Sequence, residues 1–256
     1  SSLNDAIVQG FNSTKVFTSF NHISYVKYLK GMQDLKFETE HDTRWIAGGM
    51  DRFEMLDNLG VKYMLSKGIF DWTQVGYVPL KKIGDVVVFK NPYAVPMGTL
   101  FNKIIKETDY ERLALERKRS VMRDFLVVPD SSVPAIMETF STVPSADSMA
   151  AGDTHLNIDF HDHNRFTGKI QVKDPAILYF SIPYDEGWKV RVDGRDTEKF
   201  RVNYGMSAVL MPPGTHHVVL NYELPYLKGW IALTILGIVL LFFIPKNASP
   251  ILSGRN

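Results

Sequence analysis

The segment ILYFSIPYDEGWKVRVDG (residues 177–194) decides the architecture. Within it Trp188, Val190 and Val192 alternate with Lys189 and Arg191, the period-two pattern of a strand with one apolar and one wet face. Asp193-Gly194 then supplies a hairpin turn, because both residues tolerate the positive φ that such turns demand. Outward from this segment, LNIDF, TGKIQV, KFRVN, SAVLM and HVVLNY repeat the strand signal, with turns such as Pro212-Pro213-Gly214 between them. Short strands at regular spacing predict an antiparallel β-sandwich over residues 154–225.

Toward the N-terminus the pattern changes. In MDRFEMLDNL (50–59) Met50, Phe53, Leu56 and Leu59 recur at helical spacing, and Gly60 stops the helix. The strand VKYMLS follows, and DVVVFKN ends at Asn91-Pro92, a turn signal. These pieces predict a small α/β subdomain over 1–105. Residues 108–126 read as one helix, capped by Thr108 or Asp109, with Leu113, Val121 and Phe125 on its apolar side. Its Arg112, Arg117, Lys118, Arg119 and Arg123 read as a solvated face. Three prolines among small polar residues then make the remainder of 106–153 a linker. The fold class is therefore α+β: an α/β subdomain, a connecting helix, a β-sandwich and a C-terminal apolar helix.

That last helix is read from GWIALTILGIVLLFFIP (229–245), seventeen residues without a charge. Eleven Leu, Ile, Val or Phe residues between Ile231 and Ile244 contribute roughly −3 to −7 kcal/mol of insertion free energy. Tyr226 and Trp230 fit an interfacial belt, Lys228 can extend to the headgroups, and Lys246 and Arg255 flank the other end. A transmembrane helix over 226–246 is expected, with a cytoplasmic tail at 247–256 and the bulk of the chain extracytoplasmic by positive-inside bias. The opening SSLNDAIVQGFNST has neither a basic start nor an apolar run, so either the chain is the end of a longer protein whose earlier segments export it, the reading favoured here, or the orientation is the reverse.

Composition sets outer limits. With 29 Lys+Arg against 28 Asp+Glu the net charge is +1, which gives no basic surface for nucleic acid. Zero cysteines exclude disulfides, thiolate metal sites and cysteine nucleophiles within the sequence. No G-x-S-x-G, G-x-x-x-x-G-K-[ST], G-x-G-x-x-G or H-E-x-x-H motif occurs, so neither a hydrolase nor a nucleotide-binding reading has support. No cofactor is expected.

Two clusters remain as candidate sites. In HLNIDFHDHNRF (155–166), Asp159, His161 and His163 would share a face of an extended strand, the right chemistry for a divalent metal or simply a wet strand face. Tyr184, Trp188 and Tyr204 lie near sandwich turns and could stack on a sugar ring, although the phase of Trp188 with Val190 and Val192 also suits a core position.

Longer strings carry a resemblance. LGVKYMLSK (59–67) and VVVFKNPYAVPMG (86–98) resemble the "GVKY" strand and "N-P-x-A-x-P" turn of the YfhO-like bacterial membrane proteins. FSIPYDEGWKVRVDG (180–194) is similar to that family's "Y-x-x-G-W-x-x-x-V-D-G" block, and MPPGTHHVVLNYELP (211–225) to the "P-x-G-x-H-x-V-x-x-x-Y" block before its last membrane helix. The resemblance spans about residues 45–245. It implies a polytopic GT-C-type glycosyltransferase that moves a sugar from a polyprenyl-phosphate donor to a cell-surface polymer such as teichoic acid. The catalytic carboxylate it implies lies in an early external loop that this sequence does not match, so no catalytic residue is assigned. The implied partners are the lipid bilayer, the other membrane helices of the same protein and a cell-surface glycopolymer. The alternative is a membrane-tethered glycan-binding or structural module without catalysis.

Overall fold

A computed structural model of the chain describes residues 14–17, 21–33, 37–47, 53–68, 70–140 and 154–243. The N-terminal half contains β1 (Lys15–Phe17), α1 (Ile23–Gln33), β2 (Trp45–Ala47), α2 (Phe53–Asn58), β3 (Tyr63–Ser66), β4 (Val78–Ile83) and β5 (Val86–Lys90). β1 pairs with β2, and β3-β5-β4 form an antiparallel sheet. Helix α2 ends where expected, with Gly60 at φ 70°. Trp72, Tyr77 and Phe89 pack with Leu56 beneath the β3-β5-β4 sheet as a small separate core.

The chain continues through β6 (Thr99–Phe101), β7 (Ile104–Lys106), α3 (Glu107–Glu111), α4 (Leu115–Asp124), β8 (Leu126–Val128) and α5 (Val133–Phe140). Two sequence expectations need correction here. The helix expected over 108–126 is two helices broken at Arg112–Ala114. Tyr110 and Met122 are both buried in one core, yet on a continuous helix they would stand about 120° apart, so the break turns both inward. The stretch expected to be a linker also contains α5, whose Ile136 is buried in that core; its remainder, 141–153, lies outside the described residues.

The sandwich is present and has an additional strand at each margin. One sheet has the order β13-β12-β16-β10-β9 and the other β14-β15-β11-β6, from β9 (Asn157–His161), β10 (Arg165–Val172), β11 (Ala176–Pro183), β12 (Trp188–Val192), β13 (Arg195–Thr197), β14 (Lys199–Val202), β15 (Met206–Met211) and β16 (Gly214–Tyr222). β6 comes from the N-terminal half and pairs with β11, Ile177 opposite Phe101. The packing therefore crosses the expected boundary at residue 105.

β11 shows why its sequence is apolar throughout from Ala176 to Phe180. Leu178, Phe180 and Ile182 point into the space between the sheets, with Val190, Val218 and Leu220. Ile177 and Tyr179 point the other way, into a second core shared with Tyr28 and Met32 of α1, Met55 of α2 and Met122 of α4. Both faces are covered, so no polar phase is needed. The result is a helical layer on a four-stranded sheet on a five-stranded sheet. Gly205 allows a close approach between the first two layers: a Cβ there would overlap the Ser24 carbonyl oxygen.

The C-terminal helix, α6, runs over Leu227–Phe243. The transmembrane helix expected over 226–246 is not found: no helix among the described residues is long and apolar enough to cross a membrane, and residues 244–256, with the end of that span and the expected tail, lie outside the described residues. At 17 residues α6 spans about 25 Å. Its large apolar side chains are all exposed, from Ile231 through Leu236 to Phe243.

Candidate functional site

Two of the sequence blocks hold each other in place. Asp193, at φ 52° in the β12–β13 turn, accepts from the backbone N–H of His217 through Oδ1 and meets His216 Nδ1 through Oδ2 at 2.8 Å. The other ring nitrogen of His216 lies 3.0 Å from the Pro212 carbonyl. Both nitrogens thus face acceptors. The His216 contact, then the His217 N–H, hold the Asp193 carboxyl below the usual range. This clamp ties the Asp-Gly turn to the Pro-Pro-Gly turn.

A second bracket sits at the opposite end of the same strands. Trp188 pairs in register with Tyr222, their rings 5.3 Å apart at 66°, and also packs on Phe166. Gly187 lies under Tyr222; a Cβ would come within 2.6 Å of the ring and 2.7 Å of the Glu223 oxygen. The Glu223 N–H donates to the Gly187 carbonyl at 2.8 Å. Helix α6 begins at Leu227, after Tyr226 turns the chain at φ 61°. Asp185 fixes this corner to α1: His22 Nε2 lies 2.7 Å from its Oδ2, and Oδ1 accepts from the Gly187 N–H. Partial burial pushes the Asp185 carboxyl up, but these contacts prevail and hold it low.

The Asn-Pro turn is anchored on a buried carboxylate. Asn91 Nδ2 donates to Asp57 Oδ1 at 2.9 Å, and Arg123 contacts Asp57 Oδ2 through Nε and Nη2 at 3.2 and 3.1 Å. The Arg123 guanidinium also lies over the Tyr93 ring, 4.6 Å from its centroid. Burial pushes the Asp57 carboxyl up despite these partners. The contacts join α2, the turn after β5 and α4.

Between these anchors lies a cleft of about 600 Å³. Gly60 and Lys62 follow α2, Pro96 and Met97 close the Asn-Pro turn, Ser181 comes from β11, and His155 to Ile158 lead into β9. Three of the four sequence blocks meet here. No acidic side chain lines the cleft. Lys62, His155, Asn157 and Ser181 were not marked as site residues by sequence reasoning. Lys62 and Ser181 belong to those blocks, and His155 and Asn157 to the HLNIDFHDHNRF cluster singled out for other residues.

The residues singled out from sequence are placed otherwise. β9 ends at His161, so His163 stands in the turn, fully exposed and beside Asp162 at 3.0 Å, out of the strand phase assumed for it. Asp159 accepts from the Thr167 hydroxyl. Among the described residues no group of three or more His, Asp or Glu side chains is arranged to hold a metal. Tyr184, Trp188 and Tyr204 do not form one platform. Lys199 covers the Tyr184 ring at 4.6 Å, Trp188 is engaged by Phe166 and Tyr222, and Tyr204 packs on Tyr110 and against Gly31 in the helical layer.

Comparisons with known proteins agree with the resemblance over its C-terminal blocks, at 180–194 and 211–225; the blocks at 59–67 and 86–98 lie outside the residues that the family profile matches. A family profile described as "Bacterial membrane protein YfhO" matches residues 145–234. The "Uncharacterized protein YfhO" of Bacillus subtilis (strain 168) is 23% identical over 87 residues, 34% of this chain and 10% of that protein. The match thus spans about a tenth of the relative's length. No solved structure matches the chain.

Proposed function

This chain is YfhO-like over residues 145–234, the sandwich and the first half of its apolar helix, and on that premise we propose that it is the extracytoplasmic C-terminal region of a bacterial membrane glycosyltransferase of the GT-C type. In this reading α6 and the apolar residues that follow it in the sequence together enter the membrane, the layered domain braces them at the outer surface, and the domain positions a cell-surface acceptor polymer such as teichoic acid. Sugar transfer from a polyprenyl-phosphate donor is the work of the whole protein, and no residue of this chain is assigned to the chemistry.

One observation carries the proposal. Strand β16 leads through only a short connection, residues 223–226, into a helix whose large apolar side chains find no cover in the domain. An apolar surface extending all round a helix needs an apolar solvent or partner helices. The Gly187–Glu223 hydrogen bond and the Gly187–Tyr222 contact fix the exit point of that helix.

The test is membrane extraction. The chain produced in a bacterium is expected to stay with membranes through an alkaline carbonate wash, and Leu236→Arg, which costs roughly 2.5–3.5 kcal/mol at a helix centre, is expected to release it. Release of the unsubstituted chain by the wash would overturn the reading.

A further inference from the structure

We propose that the cleft between the α2–β3 turn, the Asn-Pro turn and β9 binds an anionic sugar, a ring of hexose size carrying a phosphate or carboxylate. Its volume of about 600 Å³ falls among small-molecule sites, which run from ~300 to ~1,000 Å³. The lining supplies the two kinds of contact such a ligand needs. Lys62 contributes a fixed positive charge, and the imidazole of His155 donates a hydrogen bond in either protonation state. Asn157 and Ser181 offer an amide and a hydroxyl, which match ring hydroxyls. Pro96, Met97 and Ile158 give the apolar surface against which the C–H face of a ring can rest.

Two further observations favour a ligand of this class. The side chains of Lys62, His155, Asn157 and Ser181 make no hydrogen bond or ion pair with any described residue, whereas the neighbouring Asp57, Asn91 and Arg123 satisfy one another. The absence of any acidic lining residue leaves the Lys62 charge unneutralised, so a neutral or cationic ligand gains less there than an anion. The cleft is also built on rigid parts: Gly60 at φ 70° has the Val95 oxygen 3.0 Å from where a Cβ would lie, and Leu156 donates from its N–H to the Gly98 carbonyl at 2.7 Å.

This inference goes beyond the membrane reading, which concerns α6, and each can fail alone. The full chain in detergent micelles is titrated with glucose 6-phosphate, glucuronate, glucose and inorganic phosphate, and binding is followed by calorimetry. Saturable binding of the two anionic sugars is expected, at least tenfold tighter than glucose or inorganic phosphate. Lys62→Ala and His155→Ala should each weaken glucose 6-phosphate binding by about tenfold, the effect of one lost charge-assisted hydrogen bond. Both side chains are exposed, so unchanged thermal midpoints are expected to show that the variants fold. Higher salt should weaken binding. The proposal is overturned if neither anionic sugar binds saturably, if glucose or inorganic phosphate binds as tightly, or if both variants bind like the unsubstituted chain.

Discussion

Asp193 and Asp57 answer acid in opposite directions. Asp193 is held low by His216 and the His217 N–H, so its stabilisation is complete above the unfolded value of about 4 and is lost as pH falls through its depressed folded value. Asp193→Asn should lower the urea midpoint at pH 7 and flatten its decline below about pH 4. Asp57 is pushed up by burial, so its protonated form suits the folded state and stability falls as pH rises through its raised value. Arg123→Met removes the cation facing that buried carboxylate and should cost about 3 kcal/mol at pH 8, with a smaller loss at acid pH. Urea titrations of the variant at both pH values check this. In the sequence Asp193 is legible as a turn residue. That it touches His216 is not, because residues 23 positions apart meet only once strand register is set.

At the scale of elements, local pattern was a good guide wherever one period dominated. Apart from β13, the strands over 156–222, the stop at Gly60 and the apolar run of α6 were all legible. Helices α3 and α4 were not separable, since their break serves a core assembled from α1, α2 and β11. The candidate metal triad failed to converge for a similar reason: strand phase extrapolates only as far as the strand, and β9 stops at His161. Two glycines now acquire testable roles. Gly205→Ala would force a methyl against the Ser24 carbonyl and should cost roughly 1–3 kcal/mol by pushing α1 off the four-stranded sheet. Gly187→Ala would displace Tyr222 and Glu223 and is expected to cost a similar ~1–3 kcal/mol. Urea unfolding gives both values, and the changed environment of Trp188 makes its fluorescence a local readout for the second.

For the whole molecule, three layers share strands and cores across the boundary the sequence suggested, and the cleft lies where the N-terminal turns meet the sandwich. Its polar residues come from positions 62, 155, 157 and 181, too scattered for any motif to announce them. The net charge of +1 likewise hid a domain followed by an apolar helix. In the proposed reading that helix leaves the domain at the outer surface of the membrane. A single Glu198→Cys at the exposed β13–β14 connection reports the domain's side of the membrane in the protein as the cell makes it, and the 256 residues of this sequence, which hold no cysteine, add no labelling of their own. A membrane-impermeant maleimide should label Glu198→Cys in intact cells, above the level of the unsubstituted protein and without permeabilisation. Labelling that appears only after the membrane is opened would contradict the extracytoplasmic reading.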